Sequence, residues 1–210
     1  MTNIETAVTI GDPDLHLEDP NVIGRRWRAG VALLILADAA FVATLLFAYF
    51  YLRGLNTSNA WLLHGQATAA IWVSWALAGG AVLSAVIFGQ ARRSIQAGNE
   101  AGFVAGALVA LLVLVADTVG QVIQLTSFPF GVASSAYSSV VYTIAGANLY
   151  HLLLTIFIAI AMWNRGRLHI YSKSSNWQVR VAEMWWNWIA IAAVLTAFAT
   201  SFIASPASGH

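Results

Sequence analysis

Two carboxylates and one histidine stand inside otherwise apolar runs of this sequence. Asp38 follows Leu34-Ile35-Leu36-Ala37, Asp117 follows Leu114-Val115-Ala116, and His151 follows Leu149-Tyr150. An ionisable group at mid-membrane costs about 2.5–3.5 kcal/mol on insertion scales, so each of the three needs a partner or a task. For Asp38 two readings stand: a carboxylate that handles protons or touches lipid, and a hydrogen-bonding group that docks its helix on a neighbour. Asp117 has Gln121 and Gln124 four and seven residues further on, which on a helix is one face. That stripe must face protein or water, as a proton path or as a polar seam between helices. Asn148, His151 and Thr155 likewise share a face, at offsets of three and seven. Glu183 and Asn187 form a further pair at i, i+4.

The same residues limit what chemistry is open. A membrane haem usually takes two axial histidines, and His151 is the one histidine within an apolar run. His64 and His169 fall in loops on opposite sides, and His16 and His210 fall in the tails. A copper centre needs several His or Cys ligands together. The absence of cysteine excludes a disulfide framework, an iron–sulfur cluster, a thiolate zinc site and a Cys nucleophile. No Ser-His-Asp set, phosphate-cradling loop or carboxylate pair is present. The expectation is a chain that carries no catalytic group, metal or cofactor of its own.

The elements that position these groups follow from composition. Of 210 residues, 59% are apolar and 9% charged, against roughly 25% charged in an ordinary soluble domain. Five stretches are long and apolar enough to cross a bilayer, at about 29–51, 67–90, 102–126, 138–163 and 184–204. The predicted fold is an all-α, polytopic membrane bundle of five transmembrane helices over residues 25–205. It is preceded by an acidic, water-exposed tail at 1–24 and followed by a short tail at 206–210. The first tail holds Glu5, Asp12, Asp14, Glu18 and Asp19 and no Lys or Arg, which is not the pattern of a secretory signal. Its Pro13 and Pro20 discourage a long helix there.

Orientation follows from the bases. Arg25, Arg26, Arg28, Arg92, Arg93, Arg165, Arg167, Lys173 and Arg180 fall on one side, and Arg53 alone on the other. This bias predicts a cytoplasmic N-terminus and an outer C-terminus. Aromatic residues at the span edges read as interfacial anchors: Trp27, Trp163, Trp177, Trp185 and Trp186 inside, and Tyr49, Tyr51, Trp61, Phe128, Phe130 and Tyr137 outside. Gly102, Gly106 and Ala110, four apart, and the run Ala78-Gly79-Gly80-Ala81 mark places where helix backbones can approach closely. The bases form no broad solvent-facing patch, so no nucleic-acid partner is expected. Arg25, Arg26, Arg92 and Arg93 are candidate contacts for anionic headgroups, worth about 1 kcal/mol each at such a surface, alongside a role in setting topology alone.

The order of the polar landmarks resembles subunit III of the haem–copper oxidases, in a five-helix form lacking the family's first two helices. The segment Leu34-Ile35-Leu36-Ala37-Asp38-Ala39-Ala40-Phe41, followed by Phe47-Ala48-Tyr49-Phe50-Tyr51-Leu52-Arg53, resembles the one that carries the family's buried glutamate, with Asp38 in its place. Gly120-Gln121 through Gln124 is similar to the family's Gln-x-x-Glu, with Gln124 where Glu is usual. The run from Tyr137-Ser138-Ser139 to Gly146-Ala147-Asn148-Leu149-Tyr150-His151 resembles its Gly-x-His-x-x-His stretch, with Asn148 for the first histidine and His151 for the second. Trp186-Asn187-Trp188-Ile189-Ala190 falls where the family has Trp-His-Phe-Val-Asp, so Asn187 and Ala190 replace its His and Asp.

The resemblance covers about residues 25–205. It implies an accessory, non-catalytic subunit of a respiratory terminal oxidase, in which O2 reduction and proton pumping belong to partner subunit I. Haem and copper are then expected in the partner subunits, and bound phospholipid in a cleft of this one. The family's role is to stabilise the catalytic subunit and to support proton uptake. Asp38, Gln121, Gln124, Asn148, His151 and Asn187 become its lipid-cleft or structural polar positions, with Asp117 a proton or polar-seam residue. The membrane expected is a bacterial or archaeal cytoplasmic one. Two other classes compete with this reading: a small proton-coupled transporter using Asp38 and Asp117, and a membrane cytochrome b using His151.

Overall fold

A computed structural model describes residues 20–56 and 59–204. Most of the acidic tail, with His16, and the C-terminal tail with His210 lie outside the described residues. The chain forms five helices: α1 (Pro20–Leu55), α2 (Ile71–Gln96), α3 (Glu100–Thr126), α4 (Ala136–Arg167) and α5 (Trp177–Thr200). All five are long and apolar enough to cross a membrane, and no strand occurs among the described residues. The chain is an integral, multi-pass membrane protein.

The helices overrun the apolar windows that mark them in the sequence at the basic end, whereas α2 starts and α5 stops four residues inside theirs at the other end. Hydropathy reports the thickness of the hydrocarbon layer, whereas a helix continues until its backbone is capped or broken. Thus α1 takes in Arg25, Arg26 and Arg28, and α2 runs on through Arg92 and Arg93. Helix α1 starts at Pro20, since the first helical position is where the missing N–H of proline costs nothing. Helix α3 starts where the Asn99 side chain accepts the Gly102 N–H at 2.8 Å. Helix α4 opens with a capping box between Ser135 and Ser138. Between α2 and α3, Gly98 makes the turn with φ +88°, a conformation a side chain would strain.

Helix α2 packs on α3 and α5, α3 on α4, and α1 lies against α4 and α5. The α2–α3 seam is close because its small residues allow it. A Cβ placed on Gly106 would lie 2.8 Å from the Ala91 Cβ, and one on Gly120 would meet the Leu77 side chain at 2.8 Å. Gly102 belongs to the Asn99 cap instead. One apolar core fills the basic half of the bundle around Phe88, Phe103, Leu114 and Trp186. A second, mostly aromatic, fills the other end around Tyr49, Trp61, Phe130 and Tyr137.

That distribution corrects part of the aromatic-belt reading. Tyr49, Trp61, Phe130, Tyr137, Trp185 and Trp186 are buried core residues, while Trp27 and Tyr51 remain exposed. The physical reason is that each buried ring has an internal partner for its polar atom or its edge. Tyr49 donates to the Phe202 carbonyl at 3.2 Å, and Trp61 Nε1 donates to the Ile203 carbonyl at 2.8 Å. Trp186 stacks on Phe88 and donates to Ser84 Oγ at 2.9 Å.

Helix α1 is the least enclosed. Of its residues from 22 to 55, only Gly24, Val42 and Tyr49 are buried. Leu33, Leu36 and Phe47 are among the large apolar side chains it leaves exposed. What ties its middle to the bundle is polar.

Candidate functional site

Asp38 lies halfway along α1 and faces α4 and α5. Its Oδ1 is 3.0 Å from His151 Nε2 on α4, and its Oδ2 accepts the indole N–H of Trp188 on α5 at 2.6 Å. One carboxylate therefore joins three helices. A carboxylate accepting two such donors gains charge-assisted bonds that offset its removal from water. His151, itself 2% exposed, is held from other directions as well. Its carbonyl accepts the Thr155 hydroxyl at 2.7 Å, and Thr155 Oγ1 accepts the Trp185 indole N–H at 3.1 Å.

The other polar landmarks also form helix-to-helix bonds. Asn148, one turn before His151, donates from Nδ2 to Thr196 Oγ1 of α5 at 3.1 Å. Gln121 donates to Gln124 Oε1 at 2.7 Å, and Gln124 donates to Ser74 Oγ of α2 at 3.1 Å. The i, i+3 spacing of the two glutamines is what lets one brace the other. Asp117 continues that stripe toward the basic face, and Gly80 of α2 gives it room. A Cβ on Gly80 would lie 2.5 Å from Asp117 Oδ1. Asp117, Gln121, Gln124, Ser74, Asn148 and His151 all line one cavity of about 40 Å3 between α2, α3, α4 and α5.

Asn187 is separate from this group. It is exposed on α5 and, with Gln90, Arg93 and Glu183, forms the polar end of a groove between α2 and α5 of about 720 Å3. Val82, Val86, Ala190, Ile191 and Leu195 are among its apolar walls. Beside it Arg92 forms a 2.7 Å ion pair with Glu183, so this arginine braces α2 against α5. Arg25 lies elsewhere, with Arg28 and Arg180 around a pocket of about 250 Å3 where the start of α1 meets the start of α5. Trp27 stacks on Trp177 nearby at 5.9 Å. On the same face His169 Nδ1 lies 2.7 Å from Glu100, linking the α4–α5 loop to the start of α3. Burial pushes the Tyr171 phenol of that loop above its ordinary pKa, against the opposing pull of Arg165.

The candidate residues thus divide among a three-helix junction, a cavity wall, a surface groove and the basic face. Sequence reasoning missed Trp188, Thr196 and Ser74 as partners, and marked Gly80 as a place of close helix approach without the carboxyl that it faces. The indole was hidden among neighbouring tryptophans, and the hydroxyls carry no signal until the partner helix is known. Among the described residues no group of three or more His, Cys, Asp or Glu is placed to hold a metal.

Comparison with known proteins adds an independent line. A family model described as cytochrome c oxidase subunit III matches residues 14–200. The cytochrome c oxidase subunit 3 of Emericella nidulans is 23% identical over 168 residues, covering 71% of this chain and 58% of that protein. The protein of the same name from Podospora anserina is 22% identical over 205 residues, covering 90% of this chain and 69% of that protein. The chain spans a little under six-tenths of the length of the first relative and about seven-tenths of the second. Both come from fungi, which lends no support to the bacterial or archaeal membrane expected from the sequence.

Proposed function

We propose, from the premise that this chain belongs to the cytochrome c oxidase subunit III family, that it is a non-catalytic, lipid-holding brace for the oxidase's catalytic subunit I. Membership makes it an oxidase subunit III that associates with other oxidase subunits. The observation that carries the finer reading is the commitment of Asp38. Both of its oxygens are taken up by His151 and Trp188. A carboxylate engaged in this way holds helices in place, and such use favours a brace over a transporter that must load and release protons at Asp38. A haem ligand role for His151 is disfavoured for the same reason, since its Nε2 already faces Asp38.

The partner subunits would supply the haem and copper chemistry, with reduction of O2 and proton translocation in subunit I. This chain would add rigidity, bound phospholipid and support for proton uptake. The α2–α5 groove suits one acyl chain, with apolar walls along its length and Gln90, Arg93 and Asn187 at the headgroup end. Arg25 and Arg26 stand at the same face, where anionic headgroups attract bases. The bundle at 25–205 would act as one membrane domain, with the acidic tail at 1–24 and the basic face on the inner side and the 206–210 tail outside.

The test compares the oxidase complex prepared with and without this chain. Initial O2 consumption that persists without it, then decays sooner and with less co-purified phospholipid, supports the reading. Equal lifetime and equal lipid content would overturn it.

A further inference from the structure

Asp117 is the one acid within the apolar spans whose burial is not explained by a protein partner. It is 7% exposed on α3, and no described group hydrogen-bonds its carboxyl. It sits 17 residues after the first residue of α3, Glu100, while His151 sits 16 residues before the last of α4, Arg167. At about 1.5 Å of rise per residue the two lie at nearly the same depth. Both line the cavity of about 40 Å3, together with Ser74, Gln121, Gln124 and Asn148. His151 has an unmet need of its own. Its Nε2 faces Asp38, while its Nδ1 is buried and hydrogen-bonded to no described group.

A water needs roughly 10–15 Å3 of such space and two to four polar partners, and cavities that stay dry are apolar. This cavity has room for about three waters on that scale, and it has the partners. Asp117 accepts. Gln121 already donates its amide N–H to Gln124 and has its carbonyl oxygen left as an acceptor. The Ser74 hydroxyl accepts from Gln124 and keeps its own proton to donate. The Asn148 amide reaches Thr196 from the remaining wall. A group as costly to desolvate as a carboxyl, set against such a wall, calls for solvent.

We infer that this cavity holds a small cluster of ordered water that solvates Asp117 and extends to the ring of His151. The two acids that stand apart in the sequence then belong to one polar network, running from Trp188 through Asp38 and His151 to the water and Asp117. Gly80 is the residue that keeps it open, because a side chain there would displace the Asp117 carboxyl. The inference depends on the cavity alone and is independent of the subunit's role.

The experiment is water-edited solid-state NMR on the full chain in phospholipid bilayers, which follows polarisation from water to labelled side chains. Early transfer to the Asp117 carboxyl and to Gln121, ahead of Leu114, which is buried on the same helix outside the cavity, is the expected result. Asp117→Leu, which fills the site with an apolar side chain, should abolish the transfer to Gln121 and shift the His151 ring nitrogens. Asp117→Asn, which keeps the polar wall, should retain the transfer to Gln121. Transfer to Asp117 no faster than to Leu114 in the unaltered chain would mean a dry cavity and would overturn the inference. So would transfer to Gln121 that Asp117→Leu leaves unchanged. A signal that requires a particular added cation would also overturn it, by showing a bound ion in place of water.

Discussion

Asp38 and His151 are 113 residues apart in the chain and 3.0 Å apart in the bundle. Around that contact α1, otherwise exposed along most of its length, is fixed to α4 and α5. The relationship makes α1 the helix whose attachment depends most on a few atoms, since its apolar side chains lie largely outside the core.

The first prediction is a coupling between the two residues. Interhelical hydrogen bonds in membranes average about 0.6 kcal/mol and reach about 1.7. A double-mutant cycle with Asp38→Leu and His151→Ala, read from denaturation in mixed micelles, should give a coupling of about 1 kcal/mol. Trp188→Phe should weaken α1 by a similar amount without changing net charge. Additive single and double variants would mean that the contact contributes nothing.

The α2–α3 seam provides the second. Gly106→Val would insert a branched side chain where a Cβ already lies 2.8 Å from the Ala91 Cβ. Overpacking of this kind costs about 1–3 kcal/mol. Gly79→Ala is the control, because a Cβ there meets nothing within 4 Å. The first variant should melt earlier than the parent and the second should not, with both followed by thermal loss of helical circular dichroism.

A third concerns the α2–α5 groove. Ala190→Phe would place a ring among its apolar walls. Phospholipid retained after mild-detergent purification should fall, as counted by mass spectrometry of extracted lipid. Leu153→Phe, on an exposed face of α4 away from the groove, should leave the count unchanged.

The fourth tests orientation and uses the absence of native cysteine. Ser174→Cys lies in the α4–α5 loop beside the arginines, and Ser134→Cys in the α3–α4 loop at the other end. An impermeant maleimide added outside intact cells or organelles should label Ser134→Cys and spare Ser174→Cys until the membrane is opened. The reverse pattern would invert the topology.

Much of this was legible in the chain before any fold was known, for identifiable reasons. Five apolar runs must become helices because no other open structure satisfies its backbone in lipid. The helical period then placed Gln121 with Gln124, and Asn148 with His151 and Thr155, on shared faces. The pairing of Asp38 with His151 was out of reach, because two single polar residues on separate helices have no period linking them. Trp185, Trp186, Tyr49 and Trp61 were misread as anchors for a related reason. An amphipathic ring at a span edge suits the headgroup layer and an internal hydrogen bond equally well, and only the facing helix decides between them. Gly80 was legible as a site of close approach, but that it makes room for the Asp117 carboxyl follows only from the fold.

As proposed, the chain works as a brace within an oxidase and not by itself. Purification in mild detergent through a tag on the chain, from the membranes in which it is native, tests it most directly. Co-elution of a larger, haem-bearing membrane subunit in fixed ratio is expected, with the haem spectrum lost once that subunit is dissociated. A chain that elutes alone, or that keeps a haem spectrum of its own after dissociation, would contradict it.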